Sequence, residues 1–291
     1  MTTNRLSVAT LVAAVISATA INAAETDFDA VQITSQAVAG KITLLQGNGG
    51  NIGLSIGADG VLMIDDQYAP LSDKIKAKIK ELGGDLPKYL LNTHWHGDHS
   101  GGNENFAAAS TIIAQDNVYA RIADPANKRA PAALPDLTFD EGLTMHFNGE
   151  EIRLIHLPHG HTDGDTAVWF TSSNVIHMGD EYVVGTFPFI DLESGGSAEG
   201  LIENNKKIQA LIPDDIKIIP GHGPLSNKAE MVAWMAKVES SAKLITDQML
   251  AGKSLDAILA QGLPAEYDSM GTGFINEEAY IRAVYSSSQQ P

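Results

Sequence analysis

The sequence predicts an α/β fold in which two β-sheets pack face to face with helices on the outside. Three observations carry that reading. Strand-like and helix-like segments alternate in two similar halves, glycine-rich turns punctuate the apolar runs, and no low-complexity linker divides the chain. At 291 residues, one α/β domain is of ordinary size and can bury a large core.

Residues 1–24 stand apart from that domain. Arg5 is their only charge, an apolar run covers residues 6–21, and Ala18, Ala20, Ala23 and Ala24 offer small-residue cleavage sites before Glu25. They read as a secretory signal peptide, which places the domain at residues 25–291 and the mature protein in the periplasm or outside the cell. The apolar run is shorter than the roughly 20 residues a spanning helix needs. No stable membrane span is expected after cleavage.

The elements follow in order. Residues 41–45, 52–56 and 61–64 read as strands of a meander, separated by turns at Gly47 to Gly50 and around Gly60. Residues 71–82 have helical spacing with Lys74, Lys76, Lys78 and Lys80 interleaved, and Gly83-Gly84 ends that helix. Residues 88–92, behind Pro87, form a buried strand. Asn103 is expected to cap a helix reaching about residue 109, before a strand at 111–114. The Ala- and Pro-rich residues 124–135 read as a surface loop. Strands at 143–147, 152–157, 166–170 and 175–178 then repeat the plan. A helix at 198–211, a strand at 216–219, a long amphipathic helix at 228–250, a short helix near 254–259 and a terminal helix capped by Asn276 complete it.

Charge and composition exclude several functions. Without residues 1–24 the chain carries 18 basic against 36 acidic side chains, about −18. Nucleic-acid binding draws on basic patches and counterion release, so no nucleic-acid partner is expected. There is no cysteine, which removes disulfides, thiolate catalysis and cysteine metal ligands. A bound metal would rest on His and Asp. The partner expected is a small-molecule substrate; the sequence sets no oligomeric state.

The densest chemistry lies in Thr93-His94-Trp95-His96-Gly97-Asp98-His99. On a helix, side chains two apart diverge by roughly 200°, so His94 and His96 share a direction only on extended backbone, at a strand end. Gly97 then lets the chain turn, and His99 is expected to face away from the first pair. One segment can thus serve two neighbouring metals. Three weaker signals follow at strand ends: His161 in Gly160-His161-Thr162-Asp163, Asp180 in Met178-Gly179-Asp180, and His222 in Pro220-Gly221-His222-Gly223.

With these motifs in this order across about residues 40–225, the chain resembles the metallo-β-lactamase superfamily of metallohydrolases. The resemblance implies an αββα sandwich of two mixed sheets. It implies that His94, His96 and His161 hold one metal, that Asp98, His99 and His222 hold a second, and that Asp180 bridges them. The metals would be two Zn2+, with Fe or Mn as alternatives, and zinc suits imidazole and carboxylate donors. The implied chemistry is hydrolysis of an amide, lactam, ester, lactone or thioester by a metal-bridging hydroxide, with Asp98 as the catalytic residue that orients it or relays its proton.

Departures from the subfamily patterns bear on substrate. Asp180 stands where one β-lactamase subclass has Cys and another Ser, and so resembles the bridging Asp of glyoxalase II, lactonases and phosphodiesterase-like members. Glyoxalase II acts on a cytosolic thiol conjugate, a poor match to an exported protein. Lactonases carry a Tyr shortly after that Asp; Tyr182 lies near at a different spacing and is a candidate for polarising a carbonyl, with a core role as the alternative. Two other classes stay open: an iron-dependent oxidation of the sulfur dioxygenase type on His94, His161 and Asp180, and a non-catalytic metal-binding module.

The remaining polar residues have plainer expectations. His146, His156 and His177 lie in apolar strands and read as core or sheet-face residues. His159 lies near the site without a role. Asp65 and Asp66 either orient a ligating imidazole or make a turn. Residues 185–191 are expected to wall a pocket, with Phe187, Phe189 and Trp95 as candidates for apolar contact, and with packing away from the ligands as the default for Trp95.

Overall fold

The computed structural model describes residues 26–289; the segment read as a signal peptide lies outside them. In the first half, β1 (Thr34–Ala39), β2 (Ile42–Gln46), β3 (Ile52–Gly57) and β4 (Gly60–Ile64) form an antiparallel meander. The chain then crosses over through α1 (Ser72–Glu81), so β5 (Tyr89–Leu91), β6 (Thr111–Gln115) and β7 (Leu137–Phe139) add in parallel. The result is a seven-stranded sheet in chain order. Its connections include α2 (Gly97–Ser100), α3 (Asn103–Phe106) and α4 (Asp116–Ala123).

The second half repeats the design. β8 (Gly142–Phe147), β9 (Glu150–Leu157), β10 (Asp165–Phe170) and β11 (Val175–His177) form a second meander. The crossover through α5 (Ala198–Leu211) makes β12 (Lys217–Ile219) parallel to β11, and β13 (Ser226–Asn227) closes the six-stranded sheet. α6 (Lys228–Leu250), α7 (Leu255–Gln261) and α8 (Glu277–Ser287) follow.

Strand alternation explains the layers. In β4, Leu62 and Ile64 face the other sheet and meet Ile152, Leu154, Val168 and Phe170, while Val61 and Met63 face Ile75 and Ile79 of α1. Both faces are therefore apolar, and β4 reads as the unbroken run Val61-Leu62-Met63-Ile64 typical of a strand covered on both sides. The outer face of the second sheet is covered by α5, α6 and α8 through Leu201, Ile208, Trp234, Met235, Val238 and Tyr280. This is the expected αββα sandwich of two mixed sheets.

Local expectations fared unevenly. Asn276 caps α8 by accepting from Ala279 N–H at 2.8 Å. Asn103 does not cap α3: it is the first helical residue, buried, and its amide donates to Asn92 Oδ1 at 2.9 Å and to the Ala133 carbonyl at 2.9 Å. Tertiary partners outcompete the local cap, and the helix stops after one turn. β1 escapes sequence reading because it is a largely exposed edge strand with little apolar alternation. α4 escapes it because only Val118 and Ile122 mark its buried face.

Candidate metal centre

All seven donor residues converge at one rim of the sandwich, where strands from both sheets end. His94, His96, Asp98 and His99 follow β5, His161 follows β9, Asp180 follows β11 and His222 follows β12. Three groups of donor atoms lie mutually within 4.8 Å: His94, His96 and His161; His94, His99 and Asp180; and Asp98, His99 and His222. The extended backbone at His96 (φ −59°, ψ 149°) brings His94 and His96 to the same side, and α2 then starts at Gly97 and swings Asp98 and His99 to the second group. His99 does not turn fully away from the first pair as expected; its ring lies 4.2 Å from that of His94. The two groups are thus adjacent.

Hydrogen bonds around the rings fix which nitrogen is bare. His161 Nδ1–H donates to the Phe189 carbonyl at 2.8 Å, since a carbonyl only accepts, and its Nε2 is left with a lone pair. His96 Nε2–H donates to Asp191 Oδ2 at 2.9 Å, leaving Nδ1 bare. Those two bare nitrogens face each other at 2.8 Å, an arrangement that a shared cation relieves. Asp65 settles two more rings. It accepts from His99 Nδ1 at 2.7 Å and from the Thr93 hydroxyl at 2.8 Å, so Thr93 Oγ1 must accept from His94 Nδ1 at 3.0 Å. His94 Nε2 and His99 Nε2 are therefore free to ligate, and buried His94 Nε2 has no hydrogen-bond partner at all. The chain fits a metal on this donor chemistry: His94, His96, His99 and His161 are each oriented by a hydrogen bond on the far nitrogen.

Asp180 joins the groups. Its Oδ1 lies 3.1 Å from His99 Nε2 and 3.5 Å from His222 Nε2, while Oδ2 lies 3.7 Å from His161 Nε2. Asp98 Oδ2 lies 3.2 Å from His222 Nε2. Electrostatics reinforce the division of charge. Burial works to raise the Asp180 carboxyl, but His222 and His99 prevail and hold it well below the usual carboxylate range. Asp98 is likewise lowered, His99 and His222 outweighing its burial. The Asp180 charge, against burial, pushes His222 up to about 9. His94 is lowered well below the ordinary imidazole value by burial and then by His99 and His161.

Backbone packing is tight throughout. A Cβ on Gly50 would strike the His99 ring, and one on Gly221 would strike Asp180 Oδ1. The loop after β9 is held by Asp165, which accepts from Thr162 N–H and hydroxyl, and by buried Glu181, which accepts from His161 N–H at 3.3 Å. Burial, and then the charge of Asp165, push the Glu181 carboxyl well above its usual range.

A cavity of about 650 Å³ opens onto the donors and is lined by His96, Asp98, Asp180 and His222 on one side. Phe187 and Phe189 line it as expected, and Trp95 takes its default packing role off the cavity, donating to Ser194 Oγ and packing toward α4. Tyr182 cannot polarise a carbonyl: it is buried against Trp234, its hydroxyl 2.8 Å from Ser226 Oγ. Tyr68 lines the cavity instead, its phenol raised by burial and then by Asp98. His177 donates to the Asn51 carbonyl, His156 to the Asp163 carbonyl, and His146 and His159 are exposed, so none of the four joins the donor set. The Asp66 carboxylate accepts from Gly102 N–H, and its backbone N–H donates to the His99 carbonyl at 2.8 Å, so it orients no ligating ring. Asp191 and Tyr68 had no sequence signal, being far in the chain from the residues they serve.

Fold and donor set together define a protein of the metallohydrolase type. The chain belongs to the metallo-beta-lactamase superfamily, whose family model matches residues 46–222. Among curated relatives, a hydroxyacylglutathione hydrolase of Rhodospirillum rubrum is 33% identical over 155 residues, covering 52% of this chain and 54% of that protein. Another, from Methylococcus capsulatus, is 27% identical over 168 residues, covering 57% and 58%. The chain thus spans little more than half the length of these relatives. Among solved structures, a metallo-beta-lactamase from Pontibacter korlensis aligns with a TM-score of 0.61 at 18% identity over 72% of this chain and 99% of that one. A sec-alkyl sulfatase aligns with a TM-score of 0.70 at 14% identity over 90% and 51%. These likenesses concern the fold.

Proposed function

We propose that the chain is an exported, dinuclear zinc hydrolase that cleaves a small amide, lactam, ester, lactone or thioester at its carbonyl, with residues 25–291 acting as one domain. The observation that carries this reading is the placement of Asp180, one carboxylate oxygen toward His161 and the other toward His99 and His222. The complete Asp98, His99 and His222 group favours two metals over the single iron of an oxidation on His94, His161 and Asp180. The hydroxyacylglutathione hydrolase relatives add support for a thioester among the candidate bonds.

His94, His96 and His161 would hold one metal and Asp98, His99 and His222 the other, with Asp180 between them. When bound, such metals lower the pKa of water and polarise a carbonyl oxygen. The chain's own groups supply the rest. Asp98 faces the cavity as an ionised carboxylate and accepts the proton of the attacking water, passing it to the leaving group. Tyr68, kept as a phenol, is placed to donate to the oxygen that gains charge. Asp65, Thr93 and Asp191 hold the imidazoles in their ligating tautomers.

The test is metal content by plasma mass spectrometry on the purified mature chain, with turnover of a cephalosporin, a lactone, an aryl ester and a thioester. Near two zincs per chain, and turnover lost in Asp98→Ala and Asp180→Ala, is the expected result. One iron per chain with oxygen consumption and no hydrolysis would overturn it. Export is tested by N-terminal sequencing of the periplasmic protein, expected to begin near residue 25.

A further inference from the structure

The far wall of the cavity differs in kind from its donor side. It is built from Val183, Val184, Phe187, Phe189, Phe274 and Ile275, and among the described residues no Lys or Arg lines the cavity. Arg129 comes close behind Gly97, on the donor side of the cavity and away from this wall, where its Nη2 donates to the Ser100 carbonyl and hydroxyl. A ligand carboxylate held away from the donors would therefore lose its water without gaining a cationic partner.

Two aromatic rings connect the donors to the mouth. Phe189 stacks on His96 at 5.7 Å and 28°, meets His161 edge-on at 5.6 Å, and meets Phe274 edge-on at 6.0 Å. Phe274 is 90% exposed and Phe189 beside it 38%, so the two touching rings form one exposed apolar patch at the mouth of the cavity. The Phe274 loop is nonetheless anchored. Phe187 N–H donates to the Met270 carbonyl at 2.9 Å, Trp234 Nε1–H to the Thr186 carbonyl at 2.8 Å, and Phe187 stacks on Tyr280 at 4.1 Å. The backbone of the wall is fixed while one ring is left free at its edge.

We infer that the site selects an acyl compound whose part remote from the reacting carbonyl is uncharged and carries an aromatic or branched apolar group, seated against Phe189 and covering Phe274. The inference rests on the hydrolase reading for the carbonyl alone; the preference for a neutral apolar group follows from the wall. It separates this chain's substrate from conjugates such as glutathione thioesters, whose two carboxylates find no cation on the wall.

The experiment compares two non-hydrolysable ketone probes, the S-acetonyl thioethers of benzyl mercaptan and of glutathione, by calorimetry on the full chain, zinc-loaded and metal-free. The neutral probe is expected to bind at least about tenfold more tightly in both forms. Phe274→Ala, exposed and outside the core, should narrow that ratio at least severalfold, and Phe274→Arg should shift it toward the glutathione probe. Equal or tighter binding of the glutathione probe, no binding of either, or a ratio untouched by both substitutions would overturn the inference. Failure of the hydrolase reading looks different: the neutral probe binds selectively, yet the zinc-loaded chain turns over none of the corresponding thioesters.

Discussion

Asp65 controls two imidazoles with one carboxylate, His99 directly and His94 through Thr93. An amide could keep both hydrogens on its oxygen only by turning its NH2 onto Thr93 N–H, which Asp65 Oδ1 accepts at 2.7 Å. Asp65→Asn is expected to weaken metal binding about 10- to 100-fold, the range for partners of ligating histidines, as read by competition with a chromophoric chelator; unchanged affinity would contradict the tautomer assignment. His222 contributes one step of the pH dependence, beside His99, whose burial is outweighed by Asp180, Asp98 and Asp65, which raise it well above the ordinary imidazole value. With its pKa pushed up to about 9 in the metal-free chain, His222 holds a proton at neutral pH that a metal must displace. Apparent zinc affinity should therefore fall as pH drops below about 9, by about tenfold per unit for that one proton. The same raised pKa stabilises the metal-free fold fully below about 6.5, a contribution lost as pH rises through about 9. Tyr68→Phe should lower kcat about 10- to 1,000-fold if the phenol meets the developing oxyanion, with zinc content unchanged; a wild-type kcat would remove Tyr68 from the chemistry. The donors themselves were legible because His94, His96, Asp98 and His99 crowd six residues. Asp191 was not, because its service to His96 comes from a loop in the other half of the chain.

At the scale of elements, legibility followed burial. α1 announces itself through Ile75 and Ile79, four apart and buried against the first sheet. Ile75→Ala should therefore cost about 2–5 kcal/mol by denaturant unfolding, while kcat in the folded chain stays as in the parent because α1 lies on the outer face. A loss under about 0.5 kcal/mol, typical of a surface change, would mean the helix does not carry that core. Elements with one weakly apolar face were the ones missed. β1 is an edge strand with a mostly exposed pattern, and β13 has two residues. α3 was overestimated because the sequence cannot show that Asn103 is committed to Asn92 and Ala133.

For the whole molecule, the centre draws four donors from the first half and three from the second, so a bound metal ties together segments that the unfolded chain holds far apart. Ligand binding to the folded state alone stabilises by about 4 kcal/mol at a free concentration 1,000-fold above Kd, and each kcal/mol is worth about 2–4 °C for a chain of this size. Chelation should then lower Tm by on the order of 10 °C, measured by differential scanning calorimetry before and after dialysis against EDTA. An unchanged Tm would mean the donors do not hold a metal across the two halves. Among the described residues, no helix is long and apolar enough to cross a membrane.

The two-sheet plan and the His94, His96, Asp98 and His99 cluster were legible along the chain, because strand alternation and the H-x-H-x-D-H spacing are local patterns, while His161, Asp180 and His222 joined them through the resemblance to the superfamily. The tertiary structure decided which nitrogen of His94, His96, His99 and His161 is bare, that Tyr68 and not Tyr182 faces the cavity, and that, among the described residues, its far wall is aromatic with no Lys or Arg. Those properties depend on which distant loops meet at the rim, and contacts between distant residues leave no spacing in the sequence.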